Sequence, residues 1–156
     1  MIFEPSFAVS QEFFDHLVGN HTLGHSGYHG KDHWLRVLRN GRSLAAMTGA
    51  NLQVVELFAV LHDSQRENEG YDPDHGRRAA VYARTLQKVW FNLTDPELDL
   101  LCEACHYHSD GLILADLTVQ VCWDADRLDL GRVGIRPDKR YLCTETAKTF
   151  PERVRP

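Results

Sequence analysis

The sequence predicts an all-α protein, folded as one compact helical bundle of about five to seven helices. Apolar residues recur at spacings of three and four, which is typical of helices with one buried face. Capping and stopping residues bound these stretches, and no stretch alternates convincingly between polar and apolar residues as a half-buried strand does. At 156 residues, with 43% apolar and 25% charged residues, the chain has the composition of a single globular domain.

The composition also argues against some classes of partner and location. A net charge of −5 argues against binding to a nucleic acid backbone. No apolar run is long enough to cross a membrane. The N-terminal stretch has no basic start and carries Glu4, so it is not expected to be a signal peptide, and the four cysteines are then free thiols of a cytoplasmic protein. Monomer and homodimer stay open.

The first two predicted helices are separated by a loop. Residues 10–18 place their aromatic and leucine side chains on one face behind the capping residue Ser10. A second helix over about 31–47 shows an apolar face at three- and four-residue spacing and is stopped by Gly49. The loop between them is rich in glycine and contains three histidines, which are His21, His25 and His29.

The stretch 54–63, VVELFAVLHD, is predicted to be the central helix. It is apolar on every side except at Glu56, and a helix that is apolar all round is buried all round. Asn51 is placed to cap its start. His62 and Asp63 follow the apolar run directly, and they are either hydrogen-bonded polar residues at a helix end or metal ligands.

Three more helices are predicted after a polar connection. The stretch 74–90 begins after an Asp-Pro pair that suits a helix start. The stretch 94–108 begins with the capping-box sequence TDPE. The stretch 117–130 follows, and the basic tail 134–156 is expected to be irregular apart from one helical turn near 141–146.

Several polar residues lie among core residues near the predicted helix ends. A carboxylate within the apolar sequence VCWDADRLDL is costly unless it is paired or bound to a metal. Neutral imidazoles and carboxylates together suit divalent transition metals, and helices of a bundle can bring them to one site. The residues concerned are His33, His62, Asp63, His75, His106, His108, Asp124 and Asp126.

Three sequence pieces resemble the HD superfamily of metal-dependent phosphohydrolases, whose signature is H…HD…D. They are HWLRV, which contains His33, LHD at 61–63, and DADRLD at 124–129. The resemblance implies one HD domain over 1–156, with a core at about 31–131, an N-terminal helix and His/Gly-rich loop at 1–30, and the irregular tail 134–156. It also implies four metal ligands, namely His33, His62, Asp63 and Asp126. Asp124 is then expected to orient a ligand histidine or to pair with Arg127.

Some branches of the superfamily hold two metal ions and add histidines between the HD pair and the last aspartate. The candidates here are His75, His106 and His108, and at most one of the last two is expected to point into the site. Manganese, iron, nickel, cobalt and zinc all accept such ligands, so one divalent ion, or two, is expected per chain.

The resemblance implies hydrolysis of a small phosphorylated substrate, such as a nucleotide, by a metal-activated water. Asp63 is then part of the catalytic centre, and Glu67 or Glu69 is a candidate general acid or base. Positive side chains are needed for the remaining phosphate charge. The candidates are Lys31, Arg36, Arg66 and Arg127, together with the basic run Arg136, Lys139 and Arg140.

Two other functions stay open: a dinuclear-iron HD oxygenase, and a non-catalytic HD module that senses a nucleotide. The pattern formed by Cys102, Cys105 and His106 also matches the attachment site of a c-type haem. Because the two cysteines fall on the apolar face of a predicted helix, core thiols are the preferred interpretation.

Overall fold

The protein is an all-helical bundle, as the sequence predicts, in the computed structural model that describes residues 1–24 and 27–150. His25, which was expected in a loop, and the last six residues of the predicted tail lie outside this part. The α-helices are α1 (Gln11–Gly19), α2 (Lys31–Thr48), α3 (Leu52–Leu61), α4 (His75–Leu86), α5 (Asp95–Tyr107), α6 (Leu117–Arg127) and α7 (Glu145–Lys148). Two 3-10 helices, Leu130–Val133 and Lys139–Tyr141, lie between α6 and α7.

Helix α3 is the centre of the bundle and packs against α2, α5 and α6. Its side chains from Val54 to Leu61 are all buried, and Asn51 caps its start by accepting a hydrogen bond from the Val54 amide. The exception in the apolar run, Glu56, is buried in contact with Arg42. Helix α3 ends at Leu61, so the His-Asp pair lies just beyond the helix and not in its last turn as predicted.

Helices α2 and α3 approach each other closely. A Cβ atom added at Gly41 of α2 would lie 2.6 Å from a methyl group of Val55, so only glycine permits this separation. The helices are consecutive and joined by a short connection, so the start of α2 lies beside the end of α3. This packing brings His33 next to His62.

A second close contact joins the start of α4 to the end of α5. A Cβ atom at Gly76 would lie 2.6 Å from the carbonyl oxygen of Cys105 and 2.7 Å from that of His106. The contact sets His75, the first residue of α4, beside His108, the C-cap of α5. The predicted capping box at the start of α5 is present, whereas α4 ends four residues before the predicted boundary.

The segment that follows α6 folds back over the bundle. Helix α6 ends at Arg127, three residues before the predicted boundary. The buried carboxylate of Asp124 accepts hydrogen bonds from the backbone of Cys143 (2.6 Å) and from the backbone (2.9 Å) and hydroxyl (2.8 Å) of Thr144. Asp124 therefore fixes the start of α7, and not a ligand histidine or Arg127 as expected. Among the described residues, no helix is both long and apolar enough to cross a membrane.

Candidate metal centre

Four side chains from three helices meet at one point below the surface. His33 comes from the first turn of α2, His62 and Asp63 directly follow α3, and Asp126 comes from the last turn of α6. The Nε2 atoms of His33 and His62 are 3.1 Å apart. Each Nε2 also lies 3.4 Å from Asp63 Oδ2, and their distances to Asp126 Oδ1 are 3.2 and 3.5 Å, respectively. These are the four residues that the HD resemblance implies as ligands.

A second group adjoins the first. The Nε2 atoms of His75 and His108 are 2.9 Å apart, and they lie 3.3 and 3.4 Å from Asp63 Oδ1. Asp63 therefore faces one group with each of its oxygens. His75 and His108 are two of the three histidines named for a second ion. The third, His106, stacks on the ring of Tyr107, and no contact with Asp63 is found for it among the described residues.

All four histidines are oriented in the same way. In each, Nδ1 is within hydrogen-bonding distance of an oxygen on the outer side, and Nε2 points to the centre. The outer partners are Asp129 Oδ2 for His33 (2.7 Å), the Phe58 and Ala59 carbonyls for His62 (both 3.1 Å), the Asp72 carbonyl for His75 (2.5 Å) and the Cys105 carbonyl for His108 (2.7 Å). An outer acceptor of this kind fixes the tautomer that leaves Nε2 free to bind a metal.

The spacing of the donor atoms fits a transition-metal ion. Ligand atoms about 2.0–2.2 Å from one ion lie roughly 3.0–3.5 Å from one another, and the distances from each histidine Nε2 of the first group to the other histidine and to the two aspartates fall within this range. In addition, Asp126 Oδ1 is buried and has no hydrogen-bond partner, an arrangement that is costly for a carboxylate without a cation. Within these residues, two sets of three donors lie close enough together to hold one ion. They are His33, His62 and Asp126, and His62, Asp63 and His108. Both are compatible with divalent metal.

In the metal-free protein, the carboxylates of the first group stabilise the protonated forms of its two histidines. Burial lowers the pKa of His33, but the carboxylates of Asp126, Asp129 and Asp63 outweigh burial and raise it to about 9. Burial likewise lowers the pKa of His62, but Asp63 and Asp126 raise it to about 10. In turn, His62 holds the pKa of Asp63 and of Asp126 well below the usual range, against the opposing effect of burial.

Metal uptake by the metal-free protein is therefore expected to release about one to two protons per ion near neutral pH, because ligand histidines must be neutral. The pKa values of His33 and His62 are raised from 6.5. Their protonated forms stabilise the metal-free protein fully below about pH 6.5, and this contribution is lost as the pH rises through about 9–10. Metal affinity should rise with pH until the histidines of the folded protein become neutral at about pH 9–10. Titration calorimetry in buffers of different ionisation enthalpy counts the protons, and an equal heat in all buffers would contradict the expectation.

Asp129 lies at the candidate metal centre, although the sequence did not single it out. Its Oδ2 lies 2.7 Å from His33 Nδ1, and its Oδ1 accepts a hydrogen bond of 2.7 Å from Arg36 Nε. The carboxylate thus orients a candidate ligand and is itself held by an arginine. Its position three residues after Asp126, on the same side of the chain, was the available signal.

Replacement of Asp129 by asparagine is expected to weaken metal binding about 10- to 100-fold, because a carboxylate that orients a ligand histidine has effects of this size. An amide cannot serve both His33 and Arg36 as acceptor. The measurement is the metal dissociation constant by competition with a chelator. Asp110→Asn, in an exposed turn, is the matched control, and equal affinity of the two variants would exclude the orienting role.

A cavity of about 550 Å³ opens onto the two groups. Asp63, Asp126 and His108 line its deep end. The cavity is also lined by one further histidine, His29, and by four arginines, which are Arg66, Arg127, Arg132 and Arg136. The arrangement places positive side chains around the metal-compatible groups, which suits an anionic ligand.

Only some of the predicted phosphate-binding residues lie at the cavity. Arg66 lines the cavity and donates to Asp63 Oδ1 at 3.3 Å. Arg127 also lines it, but its Nη1 donates to the Tyr141 carbonyl at 2.7 Å, so it holds the chain after α6. Arg36 is paired with Asp129. Lys31 lines a separate cavity near the N-terminus, which does not agree with a role at the metal centre.

Arg132 was missed, although it is better placed than Arg36. Its Nε and Nη1 each donate a hydrogen bond of 2.9 Å, to the carbonyls of Tyr28 and Asp129, and its Nη2 lies 4.0 Å from Asp126 Oδ1. Backbone contacts thus aim the guanidinium at the metal-compatible groups. Nothing in the sequence distinguishes Arg132 from the basic residues of the tail that follows it, because its position depends on the 3-10 helix after α6.

The acid–base candidate Glu67 does not face the cavity. Its side chain is 71% exposed, and its nearest charged partner is Arg78. Glu69 lies 2.5 Å from Nδ1 of His29, which lines the cavity. A Cβ atom at Gly27 would clash with Glu69 Oε1, so the carboxylate lies directly against the loop that carries His29.

The cysteines of the possible haem motif are part of the core. Cys102 and Cys105 are buried free thiols on α5, among the apolar side chains of the bundle. Burial raises the pKa of both thiols, most strongly that of Cys105. This environment suits core thiols, as preferred from the sequence.

The structure is thus an all-helical domain in which histidine and aspartate donors meet at the ends of the helices. Among solved structures, the fold matches a crystal structure of a predicted HD superfamily hydrolase from an uncultured Thermotogales bacterium. The TM-score is 0.72, the sequence identity is 27%, and the match covers 92% of this chain and 83% of that chain. No protein-family model and no curated protein matches the chain. The chain therefore has an HD-domain fold, as the sequence resemblance implied.

Proposed function

We propose that the protein is a metal-dependent phosphohydrolase that acts on a small phosphorylated substrate of the nucleotide class. The observation that carries the proposal is the convergence of four histidine Nε2 atoms and two aspartates at the deep end of a cavity lined by arginines. The similar fold of a predicted HD superfamily hydrolase supports hydrolysis as the type of reaction. His33, His62, Asp63 and Asp126 would hold one divalent ion, and Asp63, His75 and His108 a second.

Each part of the site has a role in this reaction. When bound, the metal would supply a hydroxide from water near neutral pH and neutralise a phosphoryl oxygen. Arg132 is aimed at the same point by its two backbone contacts, so it binds another phosphoryl oxygen. Arg66 donates to Asp63 and to the carbonyls of Asn68 and Gly70, which fixes both Asp63 and the connection that follows it.

His29 and Glu69 form the proton-transfer pair. Because Glu69 holds Nδ1, the other ring nitrogen of His29 is left for the cavity. Burial lowers the pKa of His29, whereas the carboxylates of Asp63 and Glu69 act in the opposite direction. A bound phosphate adds another negative charge and favours the imidazolium. His29 Nε2 then donates its proton to the leaving oxygen as the bond from phosphorus to that oxygen breaks.

The test is product analysis by chromatography after incubation of the manganese-loaded protein with nucleoside mono-, di- and triphosphates and cyclic dinucleotides. Turnover by the wild type and not by Asp63→Ala protein is the expected result, and the products identify the bond that is cut. An absence of turnover across the panel, in protein with full metal content, would reject the proposal for this class of substrates.

A second candidate is a dinuclear-iron oxygenase. The specific observation in its favour is Asp63, which presents one oxygen to each of two adjacent donor groups and so suits a bridge between two ions. Iron content together with oxygen uptake in the presence of a reductant would reveal this activity. The arginines around the cavity favour the hydrolase.

A further inference from the structure

Part of the lining of the metal-centre cavity is apolar. Besides the donor groups and the other arginines, the chain from the first 3-10 helix onward adds to this lining Arg136, Asp138 and several apolar side chains. The apolar side chains belong to Leu130, Ile135, Pro137, Tyr141 and Leu142. We refer to Ile135, Pro137 and Tyr141 as the apolar wall.

Two side chains of the apolar wall are open to solvent. Ile135 is 53% exposed and Tyr141 is 55% exposed, although the neighbouring Leu142 is only 2% exposed. Large apolar side chains that remain open to solvent inside a concave site commonly cover an apolar part of a ligand. Their position beside the arginines indicates a ligand with one anionic end and one apolar end.

The wall is held in place by specific contacts. The Tyr141 carbonyl accepts a hydrogen bond from the buried Arg127 guanidinium, and the Ile135 amide donates to the Leu130 carbonyl at 3.1 Å. The Asp138 side chain caps the short helix that ends at Tyr141. The backbone of the wall is therefore fixed, whereas the Tyr141 side chain is exposed and lines the cavity.

We propose that the apolar wall binds an aromatic ring in the leaving part of the substrate, and that Tyr141 and Ile135 determine specificity by covering this ring. The inference rests on the proposed phosphohydrolase function and narrows its substrate to phosphate esters with a planar apolar body. Rings bind through stacking and burial, so esters of small hydrophilic alcohols gain nothing from the wall.

The test measures equilibrium binding by calorimetry, which needs no turnover. Benzylphosphonate and 2,3-dihydroxypropylphosphonate share the phosphonate group and differ in an aromatic or a hydrophilic body. The manganese-loaded wild type should bind benzylphosphonate about tenfold or more tightly than the hydrophilic compound, as burial of a phenyl ring predicts. Tyr141→Ser should remove most of this preference, and Ile135→Ser part of it.

Two variants control for indirect effects. Tyr141→Phe keeps the ring and should keep the preference. Tyr71→Ser removes a tyrosine that is 89% exposed and does not line the cavity, and it should change nothing.

The outcomes separate this inference from the function on which it rests. Equal binding of both phosphonates, or an unchanged preference in Tyr141→Ser protein, would overturn the apolar wall and leave the phosphohydrolase standing. If neither phosphonate binds to metal-loaded protein, the phosphate site itself fails, and the inference fails with it.

Discussion

Asp63→Ala protein is expected to lose its bound metal and its hydrolase activity while it keeps its helical fold. Asp63 is shared by the two donor groups, with Oδ2 3.4 Å from His33 and His62 and Oδ1 3.3 and 3.4 Å from His75 and His108. Loss of a single orienting partner weakens metal binding about 10- to 100-fold, so loss of a shared ligand should exceed about 100-fold. Turnover should fall with it below the limit of detection.

The measurements are metal content by mass spectrometry, turnover, and the far-ultraviolet circular dichroism spectrum. Asp74→Ala is the matched control, because Asp74 is on the same connection but its side chain is 64% exposed and 3.7 Å from Arg77. Asp63→Ala protein that retains a full complement of metal would show that the two groups do not hold the ion. Normal turnover without metal would end the proposed mechanism.

His29→Gln protein is expected to lose about 100- to 1,000-fold in kcat on alkyl phosphate esters and less than about tenfold on p-nitrophenyl phosphate. An alkoxide leaves poorly unless it receives a proton, whereas nitrophenolate leaves without one. Glutamine keeps a polar side chain next to Glu69 but cannot donate a proton of comparable acidity. The measurement is the dependence of kcat on the pKa of the leaving group. This dependence should be steeper in the variant than in the wild type.

Two further variants make this test specific. His106→Gln changes a histidine that stacks on Tyr107 outside the donor groups, and its leaving-group dependence should match the wild type. Glu69→Gln should steepen the dependence less than His29→Gln does, because Glu69 positions the ring and does not touch the substrate. A uniform loss on all esters in His29→Gln protein would mean that His29 is not the proton donor.

The sequence was most informative where chemistry and packing conflict. Apolar periodicity and capping residues located the helices, because burial and capping act over a few residues and leave a local pattern. His62, Asp63 and Asp126 stood out because the core would not otherwise select polar side chains there. The structure places these three beside His33, and the HD-domain fold that the resemblance to the HD superfamily implied is confirmed by the match to a solved structure.

Other features depend on contacts between distant parts of the chain, which leave no local pattern. Asp129 and Arg132 acquire their positions from the turn after α6. Glu67 and Glu69 look alike in the sequence, and only the folded connection turns Glu69 toward His29 and Glu67 toward solvent. The Asp124 carboxylate was expected near the metal centre. In the structure the tail folds back onto it, and Cys143 and Thr144 donate hydrogen bonds to its oxygens.

The close contact at Gly76 has a consequence for the stability of the domain toward unfolding. His75 and His108 are brought together by helix packing, and the donor residues lie at the ends of five helices spread over the chain from 33 to 126. A bound ion would therefore cross-link segments that unfolding must separate, so metal should raise the melting temperature and slow unfolding. Chelation would then loosen the domain as a whole, and protease susceptibility would report metal loading without any substrate.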